Sequence, residues 1–385
     1  MLAALDRLVA AGHDDEAFRR RADNVVRPVL AYDVAAWSTT DPATGLLTSC
    51  QLVGLPYDAD RERLIFGCEY EWDGEVGARY AELARAVVPA AALSVTTGGN
   101  PDASVRYREL LAPLGIVDEL RLTFVTGGLP WGTLTAYRYG GKPPFTEGDV
   151  GAAGALGPIL GLGLRRGLLH RTAAHPLGVR VLPEPPGSLI LDGSGAVLAT
   201  TAAAERWLDA IDDAGRLPAV VSALATAARA GAGAAQLEAV VAGRDGGWVA
   251  VHASLAKGAG EGHVALVLER PRPVVLARHL ATVYGLTERE RDVATLVLRG
   301  LSNKEMAARL GTSSFTVNDH LKSVFAKFDV SSRGHLAARL LDTEFLPRVH
   351  AGQVPGPYGW FLEPKPTGAP HVPDGLEPAT STMSS

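Results

Sequence analysis

The side chains best suited to contact a ligand lie on one face of a predicted helix near the C-terminal end of the chain. With Val317 and Leu321 taken as buried, helical steps of about 100° place a mixed set of side chains on the opposite face and at its edges. The set comprises Phe315, Thr316, Asn318, Asp319, Lys322, Ser323 and Ala326. Lys322 has the charge to pair with guanine or a phosphate, and the short polar groups of Thr316 and Asn318 bond phosphates or base edges. This face can therefore donate and accept hydrogen bonds and form an ion pair, which suits a polar ligand such as a nucleic acid.

Several further positions bear on the same chemistry. Asn303 and Lys304 begin the preceding predicted helix, where they are placed to meet backbone phosphates. Phe315 is unusual for an exposed position, and it fits contact with a thymine methyl group and packing against a neighbouring helix equally well. His320 and Lys327 are compatible with a structural role instead.

The elements that position these residues form a helix-turn-helix pattern. Two Ser/Thr-x-x-Glu capping boxes, which begin at Thr287 and Ser302, each precede an apolar helical pattern. Gly311 is a candidate left-handed cap at the end of the second of these helices, and the next three residues form a tight turn. The following helix carries an apolar stripe made of Val317, Leu321, Val324, Phe325 and Phe328. A fourth helix is predicted to carry Leu336, Leu340 and Leu341.

Residues 286–341 resemble the LuxR/NarL-type DNA-binding domain of bacterial transcription factors. The matching residues are Thr287, Arg289, Glu290, the run from Gly300 to Ala307, Thr316, Val317, His320, Lys327, Val330 and Arg333. The resemblance implies an all-α four-helix domain that enters the major groove, in a dimer that reads an inverted repeat. Two residues depart from the family, because Asn318 stands where lysine is usual and Asp319 where a neutral residue is common. The departures imply a weaker hold on DNA or an unusual site.

Length and composition indicate that this domain is a small part of the protein. A chain of 385 residues suggests two to three domains, and a net charge of −5 argues against a general polyanion binder. Cations outnumber carboxylates only locally, within 285–341. Cys50 and Cys68 fit a reducing compartment and are predicted to be buried small apolar residues. The start of the chain does not resemble a signal peptide, and its most apolar window is too short to span a bilayer, so a cytoplasmic protein with no membrane partner is expected.

The N-terminal residues 1–171 predict a sensor domain. The pattern is one helix over 1–24, two strands of which the first runs from Leu30 to Ser38, short helices, a hairpin and a long helix toward Leu169. This order, with the Pro-Phe-Thr-Glu-Gly-Asp entry to the last helix, resembles a GAF domain, which implies a six-stranded antiparallel sheet between helices and a small ligand. The aromatic side chains on or near the predicted strands are candidate pocket residues and equally fit an ordinary core. They are Trp37, Phe124, Trp131 and Tyr137.

The rest of the chain divides into a linker, a second sheet domain, the helical domain and a tail. Residues 172–187 are Pro-rich and predicted to be a linker, and 188–270 resemble a small PAS domain with two strands, short helices and further strands. The helix-turn-helix domain is assigned to 271–345 and a disordered tail to 346–385. The predicted fold class is therefore α+β multidomain, with GAF-like and PAS-like antiparallel sheets followed by the all-α domain.

No enzyme is predicted, because no residue constellation for catalysis is recognisable. The Gly-rich run from Gly154 lacks the Gly-Lys-Ser/Thr of a P-loop, and no His lies between Asp14 and Leu169 to ligate a haem in the first domain. No cofactor and no metal are expected. The predicted function is a dimeric, sequence-specific DNA-binding transcriptional regulator controlled by a small effector or partner, with double-stranded DNA and RNA polymerase as partners. The alternative is a ligand-binding or dimerisation module whose helical domain contacts proteins instead of DNA.

Overall fold

The structure is a computed structural model that describes residues 1–56, 58–71, 78–173, 185–212, 216–231, 237–244, 246–258 and 261–341. It contains two five-stranded antiparallel sheets followed by a helical region, which confirms the α+β class and the C-terminal helical domain. Residues 342–345, the predicted tail and most of the predicted linker lie outside the described residues. None of the helices in the described ranges is both long and apolar enough to cross a membrane.

The first unit is a five-stranded sheet with its longest helices on one face. Its elements are α1 (Leu2–Ala10), α2 (Asp15–Leu30), β1 (Val34–Thr40), β2 (Leu47–Val53), α3 (Ala59–Phe66), α4 (Tyr80–Leu83), β3 (Ala90–Ala92), α5 (Leu93–Thr96), β4 (Ile116–Thr126), β5 (Leu129–Tyr139), α6 (Glu147–Gly154) and α7 (Gly157–Ala173). π-Helical segments at Gly67–Glu71 and Tyr107–Leu111 and short 3-10 turns at Pro101–Ala103 and Ala112–Leu114 complete it. The strand order is β2-β1-β5-β4-β3, so the described sheet has five strands instead of the six expected.

Three predicted elements of the first unit have different bounds in the structure, each for a local reason. The predicted helix over 1–24 is two helices, because Gly12 adopts φ +70° and Asp14 caps the second helix by accepting a hydrogen bond from Ala17 N at 2.7 Å. The first strand begins at Val34 and not at Leu30, because α2 continues through Leu30. The long helix toward Leu169 is divided between α6 and α7.

Close packing against the sheet explains the glycines at that division. A Cβ at Gly154 would lie 2.7 Å from Val88 Cγ1, and one at Gly157 would lie 3.2 Å from the Thr123 carbonyl oxygen. Glycine lets α7 approach β4 at Gly157 and lets α6 approach the segment before β3 at Gly154, but it weakens helix propensity. The apolar residues that α2 and α7 bury, including Phe18 and Leu164, then form one core with Trp37 of β1.

The second unit repeats the sheet topology of the first. Its elements are β6 (Gly187–Leu191), β7 (Val197–Thr200), α8 (Ala202–Ile211), α9 (Ala219–Arg229), β8 (Leu237–Ala242), β9 (Trp248–Leu255) and β10 (Val264–Glu269). The strand order β7-β6-β10-β9-β8 has its first strand beside its last, as in the first sheet, and all of its pairings are antiparallel. The predicted linker 172–187 overlaps both neighbours, because α7 runs to Ala173 and β6 begins at Gly187.

Helix α9 joins the two sheet units. Nearly every residue of its Ala/Val-rich sequence is buried, as expected for a helix covered all round. Leu224 packs in the core of the second sheet, whereas Ala219 and Ala223 pack with Phe66 and Tyr80 of the first unit. The joint also has a polar contact, in which the buried Asp41 carboxylate accepts a hydrogen bond from Val240 N at 3.2 Å.

The C-terminal region is a bundle of five helices. They are α10 (Pro273–Val283), α11 (Glu288–Leu298), α12 (Asn303–Leu310), α13 (Ser314–Phe328) and α14 (Arg333–Leu341). The last four correspond to the four helices predicted from the sequence. Buried Val293, Met306, Val317 and Leu336 each come from a different one of these four helices and lie in one core. That shared core positions α12 and α13 relative to each other.

Candidate nucleic-acid interface

The turn between α12 and α13 is built from local hydrogen bonds. Glu305 Oε2 accepts from Ser302 N at 2.8 Å, and Ser302 Oγ accepts from Glu305 N at 3.3 Å, so the predicted capping box is formed. Gly311 ends α12 in the left-handed conformation with φ 62° and ψ 36°. Ser313 Oγ then accepts from Thr316 N at 3.0 Å and starts α13. The residues of the turn therefore fix where the first turn of α13 lies.

Helix α13 buries one face and exposes the other as the sequence predicts. The buried stripe consists of Val317, Leu321, Val324 and Phe328. The exposed residues are Ser314, Phe315, Asn318, Asp319, Lys322 and Ala326, with Thr316 and Ser323 half-buried at the edges. Apart from Ala326, these exposed residues lie on the first three turns of the helix, beyond the turn from α12. That these residues contact a nucleic acid stays a prediction.

Phe315 is the one large apolar side chain on this face. Its side chain is 74% exposed, so it does not pack into a neighbouring helix in this structure. Of the two interpretations that the sequence allowed, only the solvent-facing one describes the observed position. An aromatic ring held in water at the start of a helix is available to an apolar partner group such as a methyl.

Asp319 and Lys322 form an ion pair on the exposed face. Lys322 Nζ lies 3.3 Å from Asp319 Oδ1, and the two side chains are 68% and 50% exposed, respectively. An exposed i,i+3 pair of this kind contributes little to stability. Its main consequence is electrostatic, because Asp319 neutralises the nearest cation on the face that would approach phosphates.

Asn303 and Lys304 differ in how free their side chains are. Lys304 is exposed, whereas Asn303 is half-buried and its Oδ1 accepts a hydrogen bond from Arg333 Nη2. Arg333 Nη1 also donates to the Leu301 carbonyl at 2.6 Å. Arg333 of α14 therefore orients the Asn303 side chain. The sequence offered Arg333 only as a matched family position and gave no sign of this contact.

Glu290 connects α11 to α13 beneath the exposed face. It closes the capping box with Thr287 N at 2.6 Å, accepts from Ser323 Oγ at 2.5 Å and pairs with Lys327 Nζ at 2.5 Å. Burial alone raises the pKa of the Glu290 carboxyl, but the hydrogen bonds from Lys327, Ser323 and Thr287 outweigh burial and lower the pKa to about 2. Lys327 also donates to the Gly285 carbonyl at 3.0 Å, so it is engaged structurally.

The four aromatic residues predicted to line a ligand pocket do not share one cavity. Trp37 and Phe124 are fully buried in the core under the helices, with ring centroids 5.6 Å apart, and Trp37 Nε1 donates to Asp23 Oδ1 at 2.9 Å. Tyr137 lies on the opposite face of the sheet, beside a cavity of about 80 Å³. Trp131 lines a second, larger cleft of which Tyr137 is not part. The core interpretation therefore describes Trp37 and Phe124.

Residues 285–340 match the family model for bacterial regulatory proteins of the luxR family. The uncharacterized transcriptional regulatory protein YhcZ of Bacillus subtilis is 46% identical over 54 residues, which are 14% of this chain and 25% of YhcZ. The transcriptional regulatory protein UhpA of Escherichia coli is 44% identical over 57 residues, which are 15% of this chain and 29% of UhpA. Among the most similar relatives, the matched region amounts to between 6% and 30% of the relative's length. Helices α11 to α14 are thus a luxR-family helix-turn-helix domain.

Among solved structures, the Vibrio cholerae VqmA dimer determined in the absence of target DNA is 17% identical to this chain. The match covers 41% of this chain and 82% of that chain. Its TM-score of 0.20 is too low to indicate a shared overall fold.

Proposed function

We propose that this chain, whose residues 285–340 form a luxR-family domain, is a transcriptional regulator that binds double-stranded DNA through α13. The observation that carries the proposal is the exposed face of α13, which projects from a rigid capped turn and is backed by a buried apolar stripe. A helix presented in this way fits the width of the major groove. The protein names of the relatives, which are transcriptional regulators, support the same function.

The proposed contacts follow from side-chain chemistry and position. Thr316, Asn318 and Lys322 supply hydrogen-bonding groups for base edges or phosphates, and Phe315 supplies an apolar contact for a thymine methyl. Asp319 either repels phosphate or accepts from a cytosine amino group. Asn303 and Lys304, at the start of α12, are assigned to contacts with the phosphate backbone of the DNA. These contacts would set the position of α13 along the major groove.

The remainder of the proposed function concerns control. The two sheet units are proposed to be GAF-like and PAS-like sensors, which is supported by their repeated strand order and by the helices that flank each sheet. A homodimer would place two copies of α13 on an inverted repeat, and an effector at the sheet units would change their spacing. Contact with RNA polymerase and a cytoplasmic location are part of the same proposal.

Selection of DNA by the purified full chain tests the proposal. Genomic fragments retained by the protein are sequenced, and the enriched site is measured by fluorescence anisotropy beside a scrambled duplex of equal length. A preference of at least about a thousandfold for an inverted repeat is expected of a specific regulator. Equal affinity for both duplexes, or no DNA bound at low salt, would favour the alternative in which the helical domain contacts proteins.

Replacement of Lys322 by alanine is expected to weaken binding to the selected site. If Lys322 reads a base, the loss is about 1–3 kcal/mol, and if it meets a phosphate the salt slope falls by about one. Removal of Lys322 also leaves Asp319 without its partner, which adds repulsion in the same direction. The matched control is Lys257→Ala, which removes an exposed lysine from the second sheet unit. Unchanged affinity and salt slope in Lys322→Ala would remove Lys322 from the interface.

A further inference from the structure

A cleft of about 570 Å³ lies where the two sheet units meet helix α10. Its walls come from α2, β1, β2 and α7 of the first unit, from β8 and β9 of the second, and from His279 of α10. The volume falls in the range of sites that hold small molecules, and such sites occur preferentially between domains. The cleft adjoins the small cavity beside Tyr137, because Cys50, Leu52, Leu55 and Arg216 line both. Neither Trp37 nor Phe124 lines the cleft.

The lining combines apolar surface with an excess of arginines. Trp131, Leu164, Leu168 and Trp248 are among the apolar residues of the wall. Four arginines and three carboxylates also line it, namely Arg19, Arg171, Arg216, Arg244, Asp15, Glu16 and Asp212. Several of these groups are held in place by other contacts. Arg171 Nη2 pairs with Asp15 Oδ1 at 2.6 Å, and Arg19 Nη1 donates to the Trp37 carbonyl at 3.1 Å.

Two residues that line the cleft each have a buried nitrogen without a hydrogen-bond partner among the described residues. The nitrogens are Nε1 of Trp248, which is 1% exposed, and Nε2 of His279, which is 7% exposed. The two rings lie edge to face with centroids 4.6 Å apart. An indole N–H only donates, so it requires an acceptor, and buried donors without one are rare in folded proteins. Burial lowers the pKa of the His279 imidazole to about 4, so this ring is neutral at pH 7.

We propose that this cleft binds a small organic anion with an apolar body. Its carboxylate or equivalent acidic group accepts from Trp248 Nε1 and from His279 Nε2, which carries the proton of the neutral ring, and lies in the field of the arginines. Its body packs on the tryptophan and leucine side chains. An anion fits better than a neutral ligand because the orphan indole needs an acceptor and the lining has more arginines than carboxylates. An organic anion fits better than an inorganic ion because the apolar wall can pack against its body.

The same geometry connects the cleft to α13. His279 lies on α10, and Tyr284, directly after α10, stacks on Phe328 of α13 with ring centroids 4.0 Å apart. The next residue, Gly285, accepts a hydrogen bond from Lys327 through its carbonyl at 3.0 Å. A ligand that moves His279 therefore acts on a helix whose end packs directly against α13. This regulatory step rests on the proposed function, whereas binding in the cleft does not.

Binding is tested on the full chain with two fluorescent probes that differ in charge. The anion is 8-anilino-1-naphthalenesulfonate, and its uncharged analogue is N-phenyl-1-naphthylamine. Saturable binding of the sulfonate at one site per chain, at least about tenfold tighter than the neutral probe, is expected from a charge-assisted hydrogen bond. Equal affinities for the two probes would overturn the assignment of an anion site.

Two variants test whether the sulfonate probe binds in the cleft, and a third controls for a general loss of packing. Trp248→Phe and His279→Phe each keep a ring but remove the orphan nitrogen, and each is expected to weaken sulfonate binding by about tenfold. Trp207→Phe is the control, because Trp207 is also fully buried but donates to the Pro185 carbonyl at 3.1 Å outside the cleft. Having two variants keeps the test decisive if one does not fold. Sulfonate affinity that is unchanged in a folded Trp248→Phe or His279→Phe protein would refute the site.

The regulatory step is read separately by anisotropy on the selected DNA site, with and without saturating sulfonate probe. A several-fold change in DNA affinity that Trp248→Phe abolishes is expected if the cleft controls α13. Binding of the probe without any change in DNA affinity would overturn the regulatory step and leave the site itself standing. If the full chain binds no DNA, the proposed function fails, while the probe titration still decides whether the cleft holds an anion.

Discussion

Asn318→Lys combined with Asp319→Asn is expected to tighten binding to unrelated duplex DNA by between roughly tenfold and a hundredfold at moderate salt. The double substitution adds a cation, removes an anion and releases Lys322 from its 3.3 Å contact with Asp319. Two additional phosphate contacts, from the new lysine and from Lys322, would steepen the slope of log affinity against log salt by about 1.8. Because these contacts do not depend on base sequence, the ratio of specific to non-specific affinity should fall.

The measurement is a salt titration of wild type and double variant on the selected site and on a scrambled duplex. Asp319→Asn alone is compared with Asp329→Asn, which removes an exposed carboxylate at the opposite end of α13 and keeps a residue that tolerates its φ of 50°. Only the change at 319 should alter the slope. If the double variant binds scrambled DNA no better than wild type, these residues do not face phosphates. If it loses the selected site, Asp319 reads a base.

The helical domain could be predicted from the sequence because its signals are local. The capping boxes at Thr287 and Ser302 and the left-handed Gly311 all form as the residue spacing indicates. The apolar residues of α13 recur at the helical period. Once they are assigned to the buried face, the residues on the exposed face follow from the same period. What the spacing could not provide was contact between helices. Glu290 was identifiable as a cap, but its bonds to Ser323 and Lys327 depend on how α11 packs on α13.

The sheet units were harder to predict because their structure depends on distant contacts. The sequence groups the aromatic residues near the strands only by their residue type. Side chains alternate between the two faces of a strand, however, so Tyr137 lies on the face opposite to Leu134, the residue that pairs with Trp37. Trp131 does not follow this alternation, because it lies in a β-bulge. Phe124 pairs with Gly132 and Val125 pairs with Pro130, so Trp131 has no partner residue on β4. No sequence signal marks such a bulge.

The interdomain cleft lay beyond prediction for a related reason. Its orphan nitrogens come from Trp248 and His279, on two different elements, and neither residue belongs to a recognisable motif. The joint depends on α9, whose Ala/Val-rich sequence is equally consistent with a helix buried within one domain. Only the structure shows that α9 packs against both sheet units and so brings these elements together.

Glu290→Gln is expected to destabilise the helical domain by about 2–3 kcal/mol at neutral pH, because it leaves Lys327 half-buried beside an uncharged partner. The folded-state pKa of Glu290, about 2, lies below the ordinary value of 4.5. As the pH falls, the unfolded chain therefore takes up the proton first, and the stabilisation is lost between about pH 4.5 and pH 2. Above that window the stabilisation is complete. The glutamine variant should lack this part of the pH dependence.

Hydrogen exchange of the full chain, followed in peptides that cover α11 and α13 and corrected for the intrinsic rate at each pH, measures this difference. Glu305→Gln is the matched control, because Glu305 closes the second capping box by the same geometry but is exposed, and its hydrogen bonds are to Ser302 alone among the described residues. Its protection factors should change far less than those of Glu290→Gln. The difference between the two variants isolates the bridge from α11 to α13, since both lose a capping carboxylate. Equal loss of protection in the two variants would mean that Glu290 acts only as a cap and that Lys327 and Ser323 do not depend on its charge.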